Sequence, residues 1–311
     1  MTDAFCEAGA TLLVALDGSP AAATALPIAL ALAAQLRATL EILHVVPAAQ
    51  AAAAARATQP TITRWGEIKL RLEVGDPVTQ ILLAIADPKV VLVILTTHGR
   101  VIEPGRSLGR VAEAVVAATT RPIVLVRPEA ATYFLMNGGM IHRLLLPLDG
   151  TPTTTSLLLP ATGLAQQLGA SIDLLYVASA DAAPPDEPGS LGVPAYIDQP
   201  QHEWPAWADE MRARLCAICD NCPADVPIQV FLAEGEIGEE IAQFAAERHV
   251  DAVVLVRRSH FEAGHAHVLR SVLNLTPCPL LLIGSDGEDR RSDGWERAAR
   301  PAQTSVQDRE R

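Results

Sequence analysis

The chain alternates between short, continuous apolar runs and longer segments whose apolar residues recur at helical spacing. The clearest unit covers residues 90–126. It begins with the β-branched run Val90–Leu95, continues through a polar loop with glycines and then an amphipathic segment, and ends in Ile123–Val126. Continuous apolar runs are typical of strands buried on both faces of a parallel sheet, and apolar residues at helical spacing predict a helix. The unit therefore predicts strand, loop, helix and strand.

Three further strands are predicted before this unit. Residues 11–16 are a short apolar run, residues 40–46 are the second predicted strand, and residues 67–74 alternate between apolar and polar side chains. This alternation indicates a strand that is less buried than the others. An Ala-rich connector at 47–66 is predicted to be partly helical. The first part of the chain thus predicts five strands with helices between them.

Turn residues mark where two of these helices begin. The sequence Asp17-Gly18-Ser19-Pro20 follows the first strand, and either Asp17 or Ser19 can cap a helix that has Pro20 in its first turn. We expect this helix to continue to about residue 37. Gly75-Asp76-Pro77 begins the next helix in the same way.

A similar sequence is repeated later in the chain. LLVALDGSP at 12–20 matches LLLPLDGTP at 144–152, and QLRATLEILHVV at 35–46 matches QLGASIDLLYVA at 167–178, both at an offset of 132. Such self-similarity indicates two copies of one structural unit. We predict domains at 1–130 and 141–285, which residues 128–142 link.

The offset between the copies changes along the chain. It rises from 132 to 160 by Gly75 and Gly235, and it falls to 157 by Pro122 and Pro279. The second copy therefore has an insertion around 179–205, which is predicted to be a loop. It also lacks three residues in its version of the glycine loop. Residues 286–311 are polar and charged, and we predict a disordered tail there.

The charge is unevenly distributed. The formal net charge is −12, yet residues 1–130 hold 11 acidic and 11 basic side chains, whereas residues 131–311 hold 25 and 13. An acidic protein lacks the basic face that nucleic acid requires. Arg100, Arg106 and Arg110 lie close together in the glycine loop of the first copy, and this local positive charge suits a small anion there.

No signal peptide or membrane-spanning run is recognised, so a soluble, cytoplasmic protein is expected.

The five cysteines are odd in number and irregularly spaced, which favours a reducing compartment over a disulfide framework. Cys216, Cys219 and Cys222 form C-x2-C-x2-C, which is similar to part of an iron–sulfur cluster motif. The alternative is a set of small buried thiols on and near a helix, and the helical spacing of Met211, Leu215 and Ile218 favours it. The role of these three thiols stays open.

The glycine loop carries the best functional signal. A helix that follows such a loop presents free backbone N–H groups and the positive end of its dipole, which favours anions. In doubly wound sheets, ligands bind beyond the carboxyl ends of the strands where the strand order switches. The loops after the first, second and fourth strands should meet there. No nucleophile elbow, no HExxH motif and no recognisable pair of catalytic carboxylates is found.

These residues carry a family resemblance. Thr96-Thr97-His98-Gly99, a nine-residue spacer and Gly109-Arg110 are similar to the G-x2-G-x9-G-[ST] motif of nucleotide-binding universal stress proteins. The chain resembles a tandem member of that family over about residues 10–128 and 141–285. Thr96 replaces the first glycine of the motif, and Arg110 replaces its hydroxyl residue. The second copy has lost the motif, so we expect it to be structural or to serve an interface.

The resemblance implies an α/β fold of two tandem doubly wound domains, each with a five-stranded parallel sheet, as in adenine nucleotide α-hydrolase-like proteins. It implies a stress-response or regulatory protein that binds ATP, with Mg²⁺ as a companion of ATP, in its first domain. It also implies an intrachain pseudo-dimer, and a homodimer of chains stays open. A protein partner is expected but not identified; nucleic acid and membranes are not. The implied nucleotide-binding residues are Ala15, Asp17, Val45, Thr96, Thr97, Gly99, Arg100, Gly109, Arg110 and Val111.

Two other functions remain open. The chain is alternatively an interaction or scaffold module that keeps the fold without binding nucleotide, or, as a weaker alternative, a slow ATPase. Single residues also have structural interpretations. Asp17 could simply cap a helix, and Gly99 and Gly109 could serve a tight turn and close helix packing.

Overall fold

The computed structural model of the chain describes residues 9–46, 68–99, 106–178, 204–219, 222–257 and 263–284. The predicted connector at 47–66, nearly all of the predicted insertion at 179–205 and the predicted tail at 286–311 lie outside these ranges. Arg100, one of the implied site residues, also lies outside them.

The first half forms five strands with helices between them, as its hydrophobic pattern predicts. Its elements are β1 (Thr11–Leu16), α1 (Pro20–Ala23), α2 (Leu26–Gln35), β2 (Thr39–Val46), β3 (Ile68–Val74), α3 (Pro77–Ile85), β4 (Val90–Thr96), α4 (Arg110–Ala118) and β5 (Ile123–Val126).

The second half repeats the order of the strands after a linking helix, with a helix between its second and third strands. Its elements are α5 (Pro128–Met136), which lies in the link, then β6 (Arg143–Leu148), α6 (Pro152–Thr155), α7 (Leu158–Leu168), β7 (Ser171–Ala178), α8 (Trp204–Cys219), β8 (Ile228–Glu234), α9 (Ile237–Glu247), β9 (Ala252–Arg257), α10 (Ala263–Leu275) and β10 (Leu280–Gly284).

All ten strands belong to one sheet, in the order β3-β2-β1-β4-β5-β10-β9-β6-β7-β8. Pairing is parallel within each half, which confirms the predicted doubly wound fold. The halves meet where β5 and β10 pair antiparallel, with Val124 opposite Leu281. The apolar last strand of each half predicts this pairing, since an uncovered apolar edge invites another strand. The two five-stranded sheets are therefore continuous with each other.

Each face of the sheet carries its own hydrophobic core. Successive residues of β1 point to opposite faces, so Leu12 and Val14 belong to one core cluster and Leu13 belongs to the other. Helices α2, α5, α7 and α8 cover the first face, and α3, α4, α9 and α10 cover the second. Because both faces are covered, the inner strands are mainly apolar, and β1, β4 and β5 are recognisable in the sequence as nearly continuous apolar runs.

The helix predicted from residue 20 to about residue 37 is in fact two helices, α1 and α2. Pro27 lies in the first turn of α2. It has no N–H to donate to the carbonyl of Ala23, so a continuous helix would lose a hydrogen bond there. The sequence placed the start correctly, because the Ser19 hydroxyl caps α1 by accepting from Ala22 N at 3.1 Å.

The side chain of Gln35 also joins the two halves, from the end of α2. Its Nε2 donates to the carbonyl oxygens of Ile141 at 2.9 Å and Leu168 at 3.1 Å, and its Oε1 accepts from Ile141 N at 3.0 Å. The halves are therefore held together by side-chain contacts as well as by the sheet. None of the described helices combines the length and the apolar character that crossing a membrane requires.

The cysteine motif is only partly buried. Cys219 and Cys222 pack against the first core cluster, but Cys216 is exposed on α8, so the expectation of three buried thiols is wrong for Cys216. A helix turns about 100° per residue, so a three-residue spacing drifts around its surface. Within the described ranges, no group of three or more His, Cys, Asp or Glu side chains could hold a metal ion.

Thiol labelling should therefore separate two of the cysteines. We expect iodoacetamide to modify exposed Cys216 in the folded protein long before Cys278, whose pKa burial raises to about 12. At pH 8 only about one part in ten thousand of such a thiol is the reactive thiolate. Peptide mass mapping of a time course measures both rates. In denaturant the two rates should become similar, and equal rates in the folded protein would contradict the burial of Cys278.

Candidate functional site

The candidate site lies where the strand order changes direction. The chain runs from β1 outward to β2 and β3, and then returns to β4 on the other side of β1. The loops that follow β1 and β4 therefore leave the same end of the sheet from neighbouring strands, which is where doubly wound folds bind ligands. Asp17 follows β1, and Gly99 follows β4.

Asp17 and Gly99 are in direct contact. The Oδ1 atom of Asp17 accepts a hydrogen bond from Ser19 N at 2.9 Å, which fixes the carboxylate above the start of α1. A Cβ atom built on Gly99 would lie 2.2 Å from Oδ2 of Asp17. The carboxylate therefore occupies the space that any side chain at position 99 would need. Ser19, and not Asp17, is the N-cap of α1, so helix capping does not explain this carboxylate.

Helix α4 begins beside the same two loops. Gly109 is its N-cap, with φ −70° and ψ 157°, and its backbone N–H donates to the carbonyl oxygen of Thr97 at 2.7 Å. Gly109 is one of the implied nucleotide-binding residues, but its own backbone N–H is already engaged by Thr97 and is not available to a phosphate oxygen. The amides of the next residues, beginning with Arg110 and Val111, form the first turn, where a helix supplies no carbonyl partners.

The loop between β4 and α4 is anchored at both ends. His98 Nε2 lies 3.0 Å from the carbonyl oxygen of Arg106, and because a carbonyl can only accept, this nitrogen carries the proton. Nδ1 of His98 then accepts from the Thr97 hydroxyl at 3.3 Å. The guanidinium of Arg106 forms an ion pair with Glu113 in the first turn of α4. Glu113 therefore offsets the charge of Arg106, so the predicted arginine cluster offers less positive charge than its sequence indicates.

The remaining residues that the resemblance implies differ in how far they are buried. Ala15 and Val45 are half-buried near the ends of β1 and β2 and pack against the second core cluster. Thr96 and Thr97 are buried, and Thr96 is the last residue of β4 and not part of the loop. Arg110 is exposed. Val111 is exposed as well.

His44 is a residue whose partner the sequence did not reveal. It is buried at the end of β2, directly opposite Leu16 in the pairing of β1 with β2. Its Nδ1 donates to the carbonyl oxygen of Leu16 at 2.9 Å, so it supports the strand end from which Asp17 follows. The position of His44 at the end of a predicted strand was the available signal.

In the equivalent loop of the second half, neighbouring residues donate hydrogen bonds to the aspartate. Oδ1 of Asp149, the counterpart of Asp17, accepts from Thr151 N at 2.9 Å, from the Thr151 hydroxyl at 2.7 Å and from the Thr154 hydroxyl at 2.5 Å. Ala22 stands in the first half where Thr154 stands here, and it has no hydroxyl to donate. Buried Tyr176 replaces His44, and burial, reinforced by the charge of Asp149, raises the pKa of its phenol.

The comparisons with known proteins agree with this fold. The sequence model described as "Universal stress protein family" matches residues 10–71 and 140–284. A universal stress protein from Archaeoglobus fulgidus DSM 4304 is 14% identical, with a TM-score of 0.62 over 88% of this chain and 98% of its own. A functionally unknown protein from Pseudomonas aeruginosa PAO1 is also 14% identical, with a TM-score of 0.58 over 91% and 95%.

Two further results limit what the comparisons say about ligands. A universal stress protein in complex with cAMP is 26% identical over 39% of this chain and 99% of its own, but its TM-score of 0.33 is too low to support a conclusion about this site. A comparison with curated proteins gives no match.

Proposed function

Because the chain belongs to the universal stress protein family, whose sequence model matches more than half of it, we propose that it is a stress-response or regulatory protein that binds an adenine nucleotide in its first half. We further propose that the nucleotide is ATP. The observation that carries this proposal is the convergence of Asp17, Gly99 and the first turn of α4 at the switch point of the sheet.

The two sides of this site suit the two ends of a nucleotide. The first turn of α4 offers backbone amides and the positive end of a helix dipole to the phosphates, and the exposed guanidinium of Arg110 begins this turn. The carboxylate of Asp17 can accept hydrogen bonds from ribose hydroxyls. The half-buried Ala15 and Val45 offer apolar surface to the base. Mg²⁺, if it accompanies ATP, would supply charge neutralisation between the carboxylate and the phosphates.

We propose one such site per chain. In the second half, Thr151 and Thr154 direct three donors at one oxygen of Asp149, which a ligand hydroxyl would have to displace. The loop that replaces the glycine motif is also three residues shorter there. Both differences disfavour a nucleotide in the second half.

We place the role of the protein in sensing or signalling and not in catalysis. Two titratable side chains at the site already stabilise its loops, since Asp17 accepts from Ser19 N and His98 donates to Arg106 O. A site built in this way suits retention of a ligand more than proton transfer to and from it.

Isothermal calorimetry with ATP tests the proposal directly. We expect about one site per chain, and we expect Asp17→Asn to weaken binding by roughly 1.5–3 kcal/mol, the value of a hydrogen bond to a charged group. Asparagine can still accept from Ser19 N, so the turn should survive. Asp149→Asn makes the same change in the second half and should leave ATP affinity unchanged.

Other results would favour the alternatives. Two equal sites per chain would contradict the asymmetry between the halves. No binding at millimolar ATP would favour an interaction module that keeps the fold without the ligand. Steady phosphate release that Asp17→Asn abolishes would indicate a slow ATPase.

A further inference from the structure

The far end of α4, away from the candidate site, is held by the other half of the protein. The guanidinium of Arg257, at the end of β9, donates from NH1 to the carbonyl oxygen of Val116 at 3.2 Å. Val116 lies in the last turn of α4, where carbonyls have no partner within the helix. A cation at a helix C-terminus also interacts favourably with the helix dipole.

The first half makes the reciprocal contact. Arg127 follows β5 directly, and its guanidinium donates to the carbonyl oxygens of Asn274 and Thr276 at the C-terminal end of α10. Helix α10 occupies in the second half the place that α4 occupies in the first. Each half therefore uses one arginine to cap the corresponding helix of the other half.

The two arginines come from different positions of the repeat. The counterpart of Arg127 is Gly284, and the counterpart of Arg257 is Thr97 of the glycine motif. A Cβ atom built on Gly284 would lie 3.1 Å from NH2 of Arg257. The guanidinium of Arg257 thus fills the space in which a side chain at position 284 would begin. The interface arginine of the second half therefore stands at a position of the repeat that the glycine motif leaves unspecified.

We propose that Arg257 is a positioning residue for the nucleotide site of the first half. Arg257 holds the C-terminal end of α4. The second half, for which we propose no nucleotide site, thereby controls where the first-turn amides of α4 lie in the first half. This inference rests on the proposed function, because it assigns a consequence for nucleotide affinity to a contact between the halves.

The length of α4 makes such control effective. The helix has nine residues and contains neither glycine nor proline, and Val116 lies roughly 9 Å from Arg110 along its axis. It is fixed near its start by the bond from Gly109 N to Thr97 O and near its end by Arg257. If the second contact is lost, the helix can tilt as a unit and carry its first-turn amides with it. The apparent affinity for nucleotide then falls in proportion to the fraction of molecules with the helix in place.

The test compares Arg257→Met with Arg127→Met. Each variant keeps an apolar stem and removes the donors from one helix end. Hydrogen exchange should accelerate in α4 for Arg257→Met and in α10 for Arg127→Met. By calorimetry, Arg257→Met should bind ATP measurably more weakly, by up to about tenfold, which is the largest loss that removing one hydrogen bond produces through this equilibrium. Arg127→Met should bind within about twofold of the wild type, and Arg257→Lys should recover most of the affinity.

Several outcomes would overturn the proposal. Unchanged exchange in α4 of Arg257→Met would show that the contact does not hold the helix. Faster exchange with unchanged ATP affinity would show that helix position does not matter to the site. An equal loss of affinity in Arg127→Met would show a general effect of stability. If the wild-type protein binds no ATP, the proposed function fails together with the nucleotide part of this inference, and exchange in α4 still decides whether Arg257 holds the helix.

Discussion

Replacement of Val124 with aspartate is expected to destabilise the protein by at least about 4 kcal/mol. Val124 lies in β5, directly opposite Leu281 in β10, and both side chains are buried in the same core cluster. A carboxylate at this position has to be buried without a partner or protonated, and both options are costly. Because whole proteins are typically stable by only about 5–15 kcal/mol, we expect Val124→Asp to unfold or to separate the halves. Urea unfolding followed by circular dichroism measures the change.

The control places an aspartate at an exposed position. Leu83 lies in the last turn of α3 with 60% of its surface exposed, so Leu83→Asp should cost only about 1 kcal/mol, from helix propensity and the helix dipole. If Val124→Asp unfolds at the same urea concentration as Leu83→Asp, the pairing of β5 with β10 does not hold the two halves together.

The strands could be predicted from the sequence because they are buried on both faces. Such strands are continuous apolar runs, and Val90–Leu95 is recognised without knowledge of any partner. The pairing of β5 with β10 is consistent with the pseudo-dimer that the resemblance implies, since both strands are apolar and end their sheets. The division of the first helix at Pro27 was not predicted. Proline is tolerated in the first turn of a helix, and its effect depends on where the preceding turn ends.

Within the site, the sequence could predict which loops meet but not how their atoms pair. The order of the strands places Asp17 beside Gly99, and the structure brings them into contact. The engagement of Gly109 N with Thr97 O depends on the exact entry of the chain into α4. The contact of Arg257 with Val116 joins residues 141 positions apart, and no local pattern encodes it.

The two copies show how small a sequence difference can change the donors that surround an aspartate. LDGSP and LDGTP differ by one methyl group, and both place an aspartate after the first strand of their half. The decisive difference lies a few residues later, where Thr154 replaces Ala22 and adds a third donor to Asp149. The sequence showed both residues, but only the structure shows that the Thr154 hydroxyl turns back to the carboxylate.

Gly109→Val is expected to weaken ATP binding by roughly 3–6 kcal/mol, through the loss of two hydrogen bonds to charged groups worth about 1.5–3 kcal/mol each. This corresponds to on the order of a hundredfold or more in affinity. A valine at the N-cap of α4 would place branched carbons in front of the first-turn amides and block the approach of phosphate oxygens. Calorimetry with ATP and with adenosine measures the effect, and adenosine, which has no phosphates, should lose much less affinity.

Gly109→Val should leave the fold largely intact. This result distinguishes a role of Gly109 in ATP binding from a role in helix packing. The backbone of Gly109 has φ −70° and ψ 157°, which any residue adopts, and a Cβ atom there would lie 3.4 Å from Thr97 O, an ordinary contact. We therefore expect a loss of stability of about 1 kcal/mol or less, as for an unfavourable N-cap. Arg110→Ala, at the next position, should also weaken ATP more than adenosine, because the guanidinium is suited to phosphates, which adenosine lacks. If Gly109→Val instead unfolds the protein while Arg110→Ala leaves ATP affinity unchanged, Gly109 serves helix packing, and the interaction module becomes the better explanation of this chain.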